Sequence, residues 1–291
     1  MSRESVAATT AALTAITPMV WGTTYLVATE FLPDGRPLLA AVVRALPVGA
    51  VFVISTRRLP HGMWWWRTVV LGTLNIGAFF ALLFVAAFRL PGGVAATAGA
   101  IQPLVAAAIA AMLLRERFGI RTPLAGLAGL GGVAMLVLGP EAALDPIGVV
   151  AAVAGTVSMA VGVVLTKYWG LPVDVISFTG WQLIAGGVVL LPLALVVEGP
   201  PPMLTSTNVV GFAWLAIVGT GLAYVNWFRG VARLPVATVS FLGLLSPWVA
   251  TVLGWVVLGE ALSVVQVCGA VVVLVAVVSS QMNGIMARSD S

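Results

Sequence analysis

The chain of 291 residues is 60% hydrophobic and only 8% charged, and its mean hydropathy is +1.11. A soluble globular domain carries about 25% charged residues, so the composition excludes a soluble protein and indicates that lipid is the main solvent. The formal net charge is +4 and the cations lie in twos and threes between apolar stretches, which excludes the clustered basic face of a nucleic-acid-binding protein.

Ten apolar stretches are long enough to cross a bilayer, which requires about 20 residues per helix. The first reaches about Phe31, too long for the core of a secretion signal of about 7–15 residues, so it is predicted to be a membrane span. The single cysteine, Cys268, lies inside an apolar run and is expected to be buried in the core. The ten predicted spans are residues 7–29, 37–56, 66–88, 92–114, 121–139, 146–168, 174–197, 208–228, 234–258 and 263–280.

Arginine and lysine are concentrated in alternate loops between the predicted spans. Cations are retained on the cytoplasmic side of a membrane, so these loops indicate the orientation of the chain. The other loops hold most of the acidic residues together with Arg36 and Arg89. Both termini are therefore predicted to be cytoplasmic. The cations assigned to the cytoplasmic side are Arg3, Arg57, Arg58, Arg67, Arg115, Arg117, Arg121, Lys167, Arg229, Arg233 and Arg288.

The two halves of the chain contain a repeat, a feature that defines architecture. Each half holds five predicted spans, an odd number, so the second half must insert upside down. Inverted repeats are typical of secondary transporters with a substrate site near the midplane. The prediction is an all-α integral membrane protein of ten helices, with residues 1–143 and 144–291 as inverted five-helix repeats. The matched residues, 144 positions apart (89 to 233), are Arg89-Leu90-Pro91 with Arg233-Leu234-Pro235, Pro103 with Pro247, and Glu116 with Glu260.

The sequence lacks the motifs of several enzyme classes. No G-x-x-x-x-G-K-[ST] loop surrounds the only lysine, Lys167, so the chain has no P-loop of its own. An H-E-x-x-H metal site is impossible with a single histidine, His61, and no serine has a glycine two residues before it. No aspartate lies in the middle of a predicted span, which excludes an intramembrane aspartyl protease. The chain is predicted not to be an enzyme and to use no cofactor or metal.

An ordered set of motifs covers nearly the whole chain: Trp21-Gly22, Arg44, the Pro103 to Glu116 helix with the glycine-rich fifth span after it, Gly162, Trp181-Gln182, and the Pro247 to Gly259-Glu260 helix. Together these motifs resemble the drug/metabolite transporter superfamily, specifically its ten-helix members with two EamA-type domains. The resemblance implies a carrier of the bacterial inner membrane, with helices three, four, eight and nine, joined by one and six, around a central cavity. Similar members export amino acids, including aromatic ones.

Polar and aromatic side chains deep inside the spans are the candidate substrate contacts. An apolar cavity with a few convergent polar groups is the usual form of a small-molecule site. The alternative is that the polar groups bond neighbouring helices, at under about 1 kcal/mol each, and that the rings pack in the core. The predicted substrate-binding residues are Trp21, Tyr25, Asn75, Phe79, Gln102, Ser158, Tyr224, Trp227, Ser246 and Trp248.

Arg44 lies well inside the second predicted span, where a cation exposed to lipid at mid-depth costs at least about 2.5 kcal/mol. The side chain therefore needs a partner or a wet cavity. Two roles are open at this stage: capture of a substrate carboxylate, or a structural bond to backbone carbonyls or Glu30.

Pro103 and Pro247 are predicted to be matched hinges because they occupy equivalent positions in the repeat, although a static kink is the alternative. Glu116 and Glu260 precede the next helix in each half. A negative charge is favourable near the positive N-terminal end of a helix, so a structural role is preferred to gating for both.

The resulting hypothesis is a facilitative, monomeric exporter of amino acids, aromatic or bulky neutral, that works by alternating access. Proton relays in membranes normally use buried acids or histidine, and the acids here lie at span ends, so transport is expected to be passive or weakly coupled. The alternatives are a carrier of another solute in the same fold, such as a nucleobase, sugar derivative or drug, and a non-transporting scaffold or a channel.

Overall fold

The structure, a computed structural model, describes residues 3–33, 35–89, 99–116, 119–137, 145–259 and 262–289. In these ranges the chain forms ten helical segments and no strands, which confirms the all-α fold. In chain order they are α1 (Arg3–Phe31), α2 (Pro37–Thr56), α3 (Trp64–Gly72, the π-helical Thr73–Gly77 and Ala78–Arg89), α4 (Gln102–Leu113), α5 (Arg121–Val137), α6 (Pro146–Trp169), α7 (Val175–Val197), α8 (Ser206–Ala213, the π-helical Trp214–Leu222 and Ala223–Arg233), α9 (Val236–Leu242 and Leu245–Leu258) and α10 (Val264–Ser289).

Each of the ten predicted spans overlaps one of these helices. Within the described residues, α4 and Val264–Ser280 of α10 are shorter apolar helices, whereas seven segments are long and apolar enough to cross a membrane. The helix that continues furthest beyond the end of its predicted span is α10, which reaches Ser289 rather than residue 280, and α8 likewise continues to Arg233 rather than 228. The seven are Ser5–Ala28, Pro37–Thr56, Trp64–Leu83, Pro146–Trp169, Val175–Val197, Ser206–Arg233 and Val236–Val257.

The helices of the two halves pack as inverted equivalents. α2 packs along α7 with Gly49 against Ile184 and Leu46 against Gly187, so these two helices run antiparallel. The pair α5 and α10 is antiparallel in the same way. α1 packs on α8 and α9, as α6 packs on α3 and α4 five helices later. The second five helices therefore repeat the first with reversed direction. The predicted boundary at residues 143 and 144 lies outside the described residues.

Two π-helical stretches occupy equivalent positions in the halves. Residues 73–77 of α3, moved by the repeat offset of 144, correspond to 217–221, which lie inside Trp214–Leu222 of α8. A π-helical turn replaces the usual hydrogen bonds with longer-range ones and occurs often at functional sites. Each half therefore has one helix with a locally widened backbone.

The two repeat-related prolines begin helices. α9 is broken at Gly243 and Leu244, and Pro247 lies in the first turn of its second piece. Pro103 lies in the first turn of α4. Proline is tolerated there because the first N–H groups of a helix have no intrahelical acceptor. The break in α9 lies one turn before Pro247, and the role of both prolines as hinges stays a prediction.

Cys268 is exposed on α10, so the expectation that it is buried in the core is wrong. In a membrane protein an apolar run packs against lipid as well as protein, so apolar neighbours in the sequence do not indicate which of the two surrounds a residue. The described part of the chain holds this thiol on its outer surface, away from the helix contacts of the interior.

Gly186 lets α7 approach α3, and its substitution tests that packing. A methyl group there would lie 2.6 Å from the Gly72 carbonyl oxygen and 2.5 Å from Ile76 Cβ. Gly186→Ala is expected to destabilise the protein by about 1–3 kcal/mol through overpacking, measured as a lower melting temperature in detergent. Gly131→Ala is the control, because a methyl there would meet nothing within 4 Å. Equal melting temperatures for the two variants would contradict the close approach.

Candidate functional site

A cavity of about 510 Å³ lies inside the bundle, bordered by residues of α1, α2, α3, α4, α6, α8 and α9. This volume lies within the range of small-molecule sites, about 300–1,000 Å³. Its wall is mainly apolar and aromatic. The polar side chains along it are few, and those deeper than its mouth, apart from the aromatic residues, are Thr24, Arg44, Gln102, Thr156, Ser240 and Ser246.

The structure brings many of the predicted site residues together around this cavity. Helices α1, α3, α4, α8 and α9 contribute the predicted substrate contacts, and α2, α4 and α9 contribute predicted gating or structural residues. Whether these residues touch a substrate stays a prediction. The predicted residues that line the cavity are Trp21, Phe79, Gln102, Tyr224, Trp227 and Ser246 from the first set and Arg44, Pro103 and Pro247 from the second.

Asn75, Ser158 and Trp248 are not among the residues that line the cavity, and their predicted contact with a substrate stays a prediction. Asn75 is fully buried, and its Nδ2 donates to Gln182 Oε1 at 2.7 Å. Ser158 Oγ donates to the Leu74 carbonyl at 2.9 Å, and the Trp248 ring packs in a second apolar cluster. The two polar side chains thus bond neighbouring helices, which was the alternative interpretation of them.

Of three other predicted residues, only Glu116 is described together with its side chain. Glu116 follows the end of α4 and is half-buried away from the cavity. The side chain of Tyr25 and the whole of Glu260 lie outside the described residues. The roles predicted for these three residues stay predictions.

Arg44 is a cation in the wall of the cavity, with only 5% of its surface exposed. Its Nε donates to Thr220 Oγ1 at 2.8 Å and its Nη2 donates to the Gly219 carbonyl at 3.1 Å. The guanidinium carbon lies 4.8 Å from the centre of the Phe80 ring. Among the described residues no carboxylate forms an ion pair with Arg44. The guanidinium is therefore hydrogen-bonded but has no counter-charge among the described residues.

The end of α7 fixes the helix that carries Arg44. The Glu198 carboxylate accepts hydrogen bonds from the backbone N–H groups of Leu38, at 2.5 Å, and Leu39, at 2.8 Å. The first N–H groups of a helix have no acceptor within the helix itself, so the Glu198 carboxylate supplies one. A negative charge is also favourable at this end of a helix. Arg36 donates to the carbonyl groups of Glu198 and Pro200. Arg44 thus sits about two turns from a fixed helix end.

The π-helical stretch of α8 supplies a backbone acceptor to two side chains. The Gly219 carbonyl accepts from Arg44 Nη2 and also from Trp21 Nε1, the latter at 3.0 Å. The widened turn therefore joins α1, α2 and α8 at one oxygen atom beside the cavity.

Aromatic rings form a connected group along the cavity. The centre of the Trp21 ring lies 5.2 Å from that of Tyr224 and 5.1 Å from that of Trp227. Phe80 lies 5.6 Å from Phe79 and 6.5 Å from Tyr224. These separations are within the 4.5–7 Å range of favourable aromatic pairs. The surface that they offer to a ligand is apolar, broad and rigid.

The cavity has a mouth beside exposed residues, and bulky side chains are buried toward its opposite end. It reaches the outside between α1 and α2, where Gly35 is exposed. The opposite end is filled by the buried side chains of Trp227, Phe228 and Val231. Beyond them, Lys167 Nζ at the end of α6 donates to the Leu234 carbonyl at 2.7 Å, which ties α6 to the connection between α8 and α9.

Sequence reasoning missed several residues of the wall, among them Phe80, Thr156 and Ser240. Phe80 directly follows Phe79, and neighbours on a regular helix point about 100° apart, so one face would include only one of them. Every residue of Val236–Leu242, which contains Ser240, is buried. Such a helix has no apolar stripe, so its sequence could not indicate which side meets the cavity.

Comparisons with known proteins find similarity along nearly the whole chain. The sequence profile described as the EamA-like transporter family matches residues 9–138 and again residues 146–280. The chain is 45% identical over 273 residues to Protein PecM of Dickeya dadantii, covering 93% of this chain and 92% of that protein. It is 29% identical to a probable amino-acid metabolite efflux pump of Salmonella typhimurium, covering 88% and 89% of the two chains.

Two further comparisons concern location and fold. The chain is 28% identical to the uncharacterized inner membrane transporter YedA of Escherichia coli K12, covering 89% of this chain and 86% of that one. A protein of known crystal structure superposes with a TM-score of 0.81 at 21% identity, covering 97% and 99% of the two chains, which shows a shared fold. The resemblance drawn from the sequence motifs is confirmed: this chain belongs to the EamA-like transporter family, as a multi-pass transporter of the bacterial inner membrane.

Proposed function

We propose that this transporter exports amino acids, aromatic or bulky neutral, by alternating access. The observation that carries the proposal is Arg44, a buried cation in the wall of an aromatic cavity that forms no ion pair within the described residues. A charge removed from water is costly unless it is paired. A substrate carboxylate would pair it, and guanidinium groups bind carboxylates through strong, directional hydrogen bonds.

The remainder of the cavity suits the other parts of an amino acid. The rings of Trp21, Tyr224 and Trp227 offer an apolar surface to a large side chain. Aromatic faces also attract an ammonium group, with about 0.5–2 kcal/mol at a desolvated site. A zwitterion with a bulky side chain therefore finds a favourable contact for each of its three groups.

Other solutes fit this cavity less well. A cationic drug would be repelled by Arg44, and a neutral nucleobase or sugar derivative would leave the guanidinium without a counter-charge. The Salmonella typhimurium relative, a probable amino-acid metabolite efflux pump, supports the same substrate class. A scaffold would have no need of a cavity of about 510 Å³ with a cation in its wall.

Alternating access requires a cavity that opens to one side at a time, and the described residues place a mouth of this cavity beside the α1–α2 connection. With both termini in the cytoplasm, this end faces the periplasm, and the Lys167 end faces the cytoplasm. Among the described residues, the aspartates and glutamates lie at or beyond the ends of helices. Proton relays in membranes normally use acids at mid-depth, so we propose passive transport.

Removal of the Arg44 charge tests the proposed substrate class. In proteoliposomes loaded with radiolabelled tyrosine, tryptophan or leucine, the wild-type protein should give saturable efflux that external unlabelled substrate accelerates. Arg44→Gln should raise the half-saturation concentration about 10- to 100-fold, because a hydrogen bond to a charged group contributes about 1.5–3 kcal/mol. Arg44→Lys keeps the charge but not the planar fork, so its effect should be smaller.

Arg121→Gln is the matched control, since Arg121 is an exposed cation at the start of α5. Tyrosine should compete with labelled tryptophan, and tyramine, which lacks the carboxylate, should not. Equal competition by tyramine, or unchanged kinetics in Arg44→Gln, would refute the carboxylate role. Flat efflux for every amino acid from folded protein would refute the proposed function.

The proposed orientation can be tested with single cysteines in a Cys268→Ala background. A membrane-impermeant thiol reagent added to intact spheroplasts should label Gly35→Cys, at the open end of the cavity, because this position faces the periplasm. Arg57→Cys, which follows the end of α2, should react only after the membrane is permeabilised. The reverse pattern would contradict the orientation.

The hydrogen bonds of Lys167 should keep the end of the cavity near Val231 inaccessible to solvent. Its ammonium group donates to the carbonyls of Leu234 and Ala232, and loss of such bonds costs about 1.5–3 kcal/mol. Lys167→Met should therefore speed thiol labelling of Val231→Cys, a buried position, by at least about tenfold. Lys167→Arg keeps hydrogen-bond donors at this position. In that background Val231→Cys should be labelled much more slowly than in the Lys167→Met background. Equal labelling rates in the two variants would show that these bonds do not hold this end closed.

A further inference from the structure

Two polar atoms in residues of the cavity wall have no hydrogen-bond partner among the described residues. They are Trp227 Nε1 on α8 and Ser240 Oγ on α9, and each residue is only 1% exposed. A buried polar atom without a partner is costly, and most such atoms in folded proteins are paired. Each of these two therefore requires a physical explanation.

These two residues differ from the buried amides elsewhere in the bundle. Asn75 and Gln182 each have one unpartnered atom, but they bond each other through the other amide atom. Trp227 and Ser240 have a single side-chain heteroatom, so neither side chain makes any hydrogen bond to the described residues. Because both belong to the cavity wall, a bound molecule is the natural source of the missing partners.

We infer that Trp227 and Ser240 form a second polar subsite, which selects substrates that carry a hydrogen-bonding group on the side chain in addition to the carboxylate. This inference rests on the proposed function, in which Arg44 holds the carboxylate. Trp227 Nε1 can only donate, so the substrate must bring an acceptor. Ser240 Oγ can donate or accept, so a hydroxyl group on the substrate would satisfy both residues at once.

The contacts of Trp21 relate the second subsite to the first. Trp21 Nε1 shares the Gly219 carbonyl with Arg44, and the Trp21 ring lies 5.1 Å from the ring of Trp227. One aromatic side chain therefore contacts both subsites. A substrate with an apolar ring between its carboxylate and its second polar group matches this order of polar, aromatic and polar surface.

Tyrosine has this arrangement, and phenylalanine lacks only the phenolic hydroxyl. The phenolic oxygen would accept from Trp227 Nε1, and its proton would be donated to Ser240 Oγ. Phenylalanine would leave both protein atoms unpaired, and sites built to bond a hydroxyl reject the analogue that lacks it. We expect the wild-type protein to export tyrosine at least about tenfold more efficiently than phenylalanine.

The test is the ratio of tyrosine to phenylalanine efflux efficiency, measured at subsaturating concentration in proteoliposomes. Ser240→Ala and Trp227→Phe should each reduce the ratio to about threefold or less. Ser240→Thr retains the hydroxyl and should keep most of the preference. Matched controls are Ser55→Ala and Trp255→Phe, at exposed positions outside the cavity, and both should leave the ratio unchanged.

The outcomes separate this inference from the proposed function. A wild-type ratio near one, with both amino acids exported, would overturn the second subsite and leave the carrier function intact. A high ratio that persists in both Ser240→Ala and Trp227→Phe would also overturn it. Export of other amino acids but not tyrosine would contradict the inference alone, whereas no amino-acid efflux at all would refute the proposed function first.

Discussion

The Arg44 guanidinium reaches from α2 to the π-helical stretch of α8, and the arrangement of the cavity depends on this contact. A cation away from water needs hydrogen-bond acceptors. The Gly219 carbonyl, in the π-helical stretch, accepts from both Arg44 and Trp21. Trp21 in turn packs against Tyr224 and Trp227, so the aromatic wall is positioned by the same backbone oxygen that holds the charge.

The inverted repeat uses this arrangement twice, with different chemistry. In the first half, the π-helical stretch of α3 contains Asn75, which donates to Gln182 on α7. In the second half, the stretch of α8 contains Gly219 and Thr220, which accept from Arg44 on α2. A neutral amide pair can be buried without a counter-charge, whereas a guanidinium cannot. The same backbone geometry therefore gives a dry structural contact in one half and a charged cavity wall in the other.

Much of the architecture could be predicted because it follows from bulk composition and spacing. Apolar stretches of about 20 residues gave the helices, and the match of Pro103 with Pro247 in a half of five spans gave the inversion. The π-helical stretches and the break at Gly243 could not be predicted. Such irregularities depend on which neighbouring groups form hydrogen bonds with the backbone, and the sequence does not show this.

The features of the candidate site also differ in how well the sequence could predict them. Trp21, Tyr224 and Arg44 could be expected to line the cavity, because large or charged groups inside a membrane have few tolerable positions. The interhelical bonds of Asn75 and Ser158 could not be foreseen, since an amide or a hydroxyl bonds a neighbouring helix as readily as a ligand. The direction that each polar group takes depends on the rotation of its helix, and a helix buried on all sides, such as Val236–Leu242, carries no sequence signal of that rotation.

The absence of an ionisable counter-charge beside Arg44, within the described part of the cavity, has a consequence for the membrane voltage. Moving one elementary charge through 100 mV involves about 2.3 kcal/mol. A zwitterion adds no net charge, so the empty and the loaded carrier would bear the same charge across the field, and the electrical work cancels over a full cycle. For the zwitterionic substrate proposed here, release would then follow the concentration gradient alone and would draw nothing from the membrane potential.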